Sequence, residues 1–75
     1  MQGRYEVDFV VEAGRECLAI EVKSASRWDQ RDTAGLRAFI ERTPQCKVAI
    51  LAHGGAQAVR LEARLWAIPL ATVLS

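Results

Sequence analysis

Glu6-Val-Asp8-Phe-Val-Val-Glu-Ala-Gly-Arg-Glu-Cys-Leu-Ala-Ile-Glu21-Val-Lys23 is a pair of short runs around a glycine. Val7, Phe9 and Val11 alternate with Glu6, Asp8, Val10 and Glu12. Leu18, Ile20 and Val22 alternate in the same way with Cys17, Ala19, Glu21 and Lys23. Period two over such lengths is the pattern of half-buried strands. Gly14-Arg15 between the runs suits a two-residue hairpin turn with glycine first, the type II′ choice. The turn sets the register, so that Asp8 faces Glu21 and Glu6 faces Lys23. The apolar face of this hairpin reads as core, and the charged face as a site.

Directly opposed side chains of an antiparallel pair have Cβ atoms about 4.5–5.5 Å apart, and like charges there are destabilising. Asp8 against Glu21 therefore calls for a compensating charge. A hard divalent cation such as Mg²⁺ takes carboxylate oxygens and would supply it. Lys23 lies two residues on from Glu21, on the same strand face, where it can offset the repulsion or handle a water beside a metal. The bland alternative is a solvated strand face of mixed charge. For Glu6 the two readings are an exposed ion pair with Lys23 and an acid that orients it.

Asp8 followed by Glu21-Val-Lys23 on a hydrophobic strand resembles the D…ExK signature of the PD-(D/E)XK nucleases, the restriction-endonuclease-like superfamily. EVDFVV, AIEVKSASR, GLRAF and WAIPLATVL together are similar to the nuclease-like C-terminal domain of a family of prokaryotic AAA+ ATPases. The resemblance implies Asp8 and Glu21 as ligands of Mg²⁺, with Mn²⁺ able to substitute, and Lys23 as catalytic base or charge stabiliser. It implies a phosphodiester substrate, with DNA the first candidate and RNA left open; the alternative, a silent tail of an AAA+-like ATPase, implies a protein partner or a homodimer. The superfamily core usually opens with a helix, and this chain opens at the strand. Residues 1–75 therefore read as a single, truncated nuclease-like domain, after a lead-in at Met1 to Arg4.

Beyond Lys23 the chain bends through Ser24-Ala-Ser26-Arg-Trp-Asp29. Ser26 or Asp29 can cap a following helix whose first turn holds Asp32. Leu36, Phe39, Ile40 and Thr43 form its apolar stripe, and Pro44 ends it. Cys46 to Ala52 reads as a buried strand, parallel to the motif strand through a right-handed crossover. His53-Gly54-Gly55 then breaks the chain, which makes His53 a loop histidine or a proton carrier at a strand end. Val59–Leu61 and Leu65–Ile68 are two further extended pieces, and Pro69 opens a last helical turn through Leu74. Arg27 and Arg31 are placed to meet phosphates or simply to be solvated. Trp28 can stack on a base, or anchor the core or an interface. The expected fold is α/β: an N-terminal hairpin, one main helix and a mixed sheet, a reduced restriction-endonuclease-like core.

Composition narrows the function. With 75 residues there is one small core, marginal on its own. A 51% hydrophobic share in so short a chain leaves apolar surface for a partner, most simply a second copy. Net charge of +1 offers no broad attraction for nucleic acid, which counts against avid independent DNA binding. Neither a membrane span nor a signal peptide is present. Cys17 and Cys46 lack metal-ligand spacing and fit a reduced, cytoplasmic chain, although sequence leaves a disulfide between them open. Neither the Walker pattern nor GxGxxG occurs, which excludes ATP hydrolysis by this chain. Two functions follow: a Mg²⁺-dependent endonuclease acting through Asp8, Glu21 and Lys23, or a catalytically silent interaction or dimerisation module.

Overall fold

The computed structural model describes residues 7–75. Its elements are β1 (Phe9–Ala13), β2 (Glu16–Lys23), a 3-10 turn (Gln30–Thr33), α1 (Ala34–Arg42), β3 (Cys46–His53), β4 (Val59–Glu62), β5 (Leu65–Pro69) and α2 (Leu70–Leu74). The first alternating run, from Glu6 to Glu12, forms a strand only from Phe9, as β1, and Glu6 lies outside the described range. Its expected pairing with Lys23 lies outside it too.

The hairpin forms in the expected register, with Phe9 opposite Ile20, Val11 opposite Leu18 and Ala13 opposite Glu16. Gly14 turns the chain with φ +64°, and no non-glycine residue among those described has positive φ. That is the sign pattern of a type II′ turn, since type I′ needs positive φ at both central residues.

The five strands lie in the order β1-β2-β3-β5-β4. The central pairs β2–β3 and β3–β5 are parallel, and the flanking pairs β1–β2 and β4–β5 are antiparallel. Such a parallel pair needs a crossover, and the 3-10 turn with α1 provides it between β2 and β3. Asp29 starts that crossover with a capping box: its carboxylate accepts from the backbone of the turn, and Asp32 accepts from the Asp29 N–H at 2.8 Å. Thr43 closes α1 just ahead of Pro44. Arg64, in the β4–β5 turn, then ties the helix end down. Its guanidinium donates to the carbonyls of Cys46 at 2.7 Å, Pro44 at 3.4 Å and Ile40 at 3.5 Å. On the same side, Arg37 of α1 pairs with Glu62 of β4.

The core lies between α1 and one face of the sheet. Leu36, Leu51 and Leu65 are fully buried there, among Cys17, Ala19, Ala49 and Ala67. Each such leucine contributes about 1.5–3 kcal/mol by burial. This corrects the expected facing of the hairpin. The helix packs on the Cys17, Ala19, Glu21, Lys23 face of β2, not on the Leu18, Ile20, Val22 face. Cys17 and Ala19 are small and neutral, so a helix can approach them closely. Among the described residues no helix covers the outer part of the all-apolar face, where Phe9 is 56% and Val11 51% exposed. Cys17 and Cys46 stand opposite each other in the β2–β3 register as free thiols. Burial, followed by the neighbouring Cys17, pushes the Cys46 thiol above the usual range. No helix among the described residues is long and apolar enough to cross a membrane.

Candidate functional site

The charged residues of the hairpin gather where β2 ends. Asp8 directly precedes β1, at the position that continues the register opposite Glu21. It does not extend the strand ladder with its backbone. Its side chain replaces that bond, with Oδ2 accepting the Val22 N–H at 2.8 Å. The carboxylate is thereby held against the one residue that separates Glu21 from Lys23. Asp8 is exposed, whereas Glu21 is half-buried under the helix layer.

Lys23, the last residue of β2, turns toward the crossover. Its Nζ lies 3.3 Å from Asp32 Oδ1, with the two side chains 35% and 26% exposed. The other oxygen of Asp32 accepts from the Asp29 N–H, so this carboxylate joins the capping box to the lysine. Asp29 itself is bound to Arg31 at 3.0 Å, and the Arg31 guanidinium, with the Arg31 backbone N–H, holds its carboxyl below the usual range. That pair is well exposed, so it organises the turn and adds little stability. Arg31 is thus engaged with Asp29, while Arg27 lies exposed beside it.

His53 stands opposite Lys23 in the parallel β2–β3 pair. It is the last residue of β3 and only 2% exposed, so the expectation of a loop histidine is overturned. The strand continues to His53 because Gly54 lets the backbone pass close to Ser24 and Ala25, with the Gly54 N–H donating to the Ala25 carbonyl at 2.9 Å. His53 Nδ1 accepts the Gly55 N–H at 3.0 Å, which in the neutral ring puts the proton on Nε2. Trp28 packs at the core's margin, its ring centroid 6.1 Å from that of His53. It also lines a shallow hollow of about 400 Å³ with Lys23, Arg27, Asp29, Arg31 and Asp32. Trp28 packs against the core, one of its expected roles.

The structure therefore brings Asp8, Glu21 and Lys23 to one end of one sheet face, and adds Asp32 and His53. The signal for Asp32 lay in the Asp29-x-x-Asp32 capping spacing, which fixes where that carboxylate points. Nothing in the sequence marked His53 as Lys23's neighbour, because that follows from the strand register.

No three His, Cys, Asp or Glu side chains converge as a metal cluster among the described residues. Mg²⁺ does not demand three, since it is commonly held by one or two carboxylates, with waters and substrate phosphate completing its shell. Asp8 and Glu21 are hard oxygen donors, and the Val22 bond uses only one oxygen of Asp8. The donor set fits such a cation. Among known proteins, a family model described as a domain of unknown function, DUF4143, matches residues 1–73. Neither the curated proteins nor the solved structures contain a match.

Proposed function

Because this chain belongs to the DUF4143 family of domains of unknown function, we propose its activity from the site alone: Mg²⁺-dependent phosphodiester hydrolysis of the PD-(D/E)XK type, acting on DNA. The observation that carries this reading is the Asp8 Oδ2 bond to the Val22 N–H at 2.8 Å. It fixes a carboxylate just ahead of the first strand against the Glu21-Val22-Lys23 tripeptide of the second. Asp8 and Glu21 would hold the cation, and Mn²⁺ would serve in its place. Such a cation supplies a polarised phosphate and a bound water of lowered pKa. Lys23 contributes a positive charge for the oxygens on which negative charge develops. Asp32 holds that ammonium from 3.3 Å away.

Calorimetric titration of Mg²⁺ and Mn²⁺ into the wild type and Asp8→Ala/Glu21→Ala, with plasmid nicking alongside, tests the proposal. Binding is expected in the wild type and not in the double variant, and nicking is expected to need Lys23. Absence of both binding and nicking in the wild type would refute it. A second reading, a catalytically silent interaction domain, would then stand. One observation favours it: Asp8 and Lys23 each already have a partner within the fold.

A further inference from the structure

One face of the sheet carries α1; among the described residues no helix or strand covers the outer part of the other, although Ala52, toward the end of β3 on that face, is fully buried. The molecule measures 31 × 29 × 20 Å, and its short dimension is that of one sheet and one helix layer. Across the bare face the strand registers line up rows of apolar side chains. Phe9, Ile20, Ile50 and Trp66 form one row over four strands. Val11, Leu18 and Val48 form the next. Phe9 and Val11, on the outer strand, are more than half exposed.

We propose that this face docks a second copy of the same chain, sheet against sheet. Charge is the first argument. Neither row contains an ionised side chain, and the charges that flank them differ in sign. Glu16 stands opposite Ala13 at the hairpin end, and Arg60 lies over the Trp66 ring at 5.7 Å on the far edge. The middle of the face, between Glu16 at one end and Arg60 at the other, presents no ion for a charged partner to read, and two copies can meet there without like-charge repulsion. Size is the second argument. A sheet face on a molecule 31 × 29 Å across offers on the order of 500–800 Å² per copy, which reaches the lower range of specific interfaces. The third argument is geometric. Two such faces can interdigitate at the roughly 10 Å spacing of stacked sheets. The proposal does not depend on the nuclease reading, because the site lies on the helix-covered face.

Sedimentation equilibrium of the whole chain, from about 1 to 200 µM, tests it, a range that brackets dissociation constants of weak to moderate dimers. Phe9→Glu and Val11→Glu place a carboxylate on the bare face at exposed positions, where the fold tolerates it. Val10→Glu places the same charge on the same strand but on the opposite face, at a residue 44% exposed. The wild type is expected to dimerise, and Phe9→Glu and Val11→Glu to raise the dissociation constant at least ~10-fold, because burying a carboxylate without a partner is unfavourable. Val10→Glu is expected to dimerise as the wild type does, with circular dichroism unchanged in all three variants. A wild type that stays monomeric throughout would overturn the proposal. So would dimerisation that Val10→Glu weakens as much as Phe9→Glu, since that would point to pairing along the strand edge.

Discussion

Gly54→Ala is the substitution that most directly examines how the end of β3 supports the site. A Cβ at Gly54 would lie 2.8 Å from the Ser24 carbonyl oxygen, 3.1 Å from that of Ala25 and 3.2 Å from the Ala25 carbonyl carbon. All three are backbone atoms, so no side-chain rotation relieves the contact. The chain must separate, and the first bond lost is Gly54 N–H to Ala25 O, now 2.9 Å. Overpacking of this kind costs about 1–3 kcal/mol. A domain of 75 residues has a total stability of roughly 4–11 kcal/mol, so the loss is a sizeable fraction. At about 4–8 °C per kcal/mol, a loss near the middle of that range lowers Tm by ~8–16 °C. Thermal unfolding followed by circular dichroism measures the shift. Ser24 follows Lys23 directly, so the separation also moves the lysine relative to Asp32, and any nicking activity should fall with stability. A Gly54→Ala protein melting within about 2 °C of the wild type would refute the close-approach argument, since even the weakest overpacking exceeds that.

Two further predictions concern the core. Leu36→Ala removes the fully buried contact of α1 with the sheet and should destabilise by about 3–5 kcal/mol in urea titration. A loss below ~1 kcal/mol would mean that the helix is not the principal cover of that face. For Cys46, the folded state favours the protonated thiol, so its contribution to stability is complete below the ordinary thiol range and is lost as pH rises through the raised folded value. Urea midpoints measured from pH 7 to pH 10 should therefore fall more steeply in the wild type than in Cys46→Ala. Parallel curves would show that burial of the thiol does not act in this way.

What the sequence disclosed and what it withheld have separate physical causes. The hairpin register was readable because the turn is two residues long and a glycine occupies the position that needs positive φ. The α1 stripe was readable because Leu36 and Ile40 carry the helical period on a single face. The side of the hairpin that receives the helix was not. Alternation separates Cys17 and Ala19 from Leu18 and Ile20, but both sets are apolar enough to be buried. The choice is made by β3 and β5, whose Ala49, Leu51, Leu65 and Ala67 complete the covered face. Long-range pairs were hidden for a related reason. Lys23 with Asp32 and His53 beside Lys23 exist only once the crossover and the parallel register are in place. Asp8, Glu21 and Lys23 could be proposed as a group because all three belong to one local hairpin.

Arg64 gives the molecule a property beyond its geometry. A helix end ordinarily frays, opening its last turn without disturbing anything else. Here the last turn of α1 and the entry to β3 both hang on a guanidinium that belongs to the turn between β4 and β5. Fraying at Arg42 would have to release a hairpin more than twenty residues further along the chain. Opening of the helix end back to Ile40 therefore disturbs contacts of the C-terminal hairpin as well. Hydrogen exchange is expected to give the amides of this helix turn and of the β4–β5 hairpin similar opening free energies, and widely different values would refute the coupling.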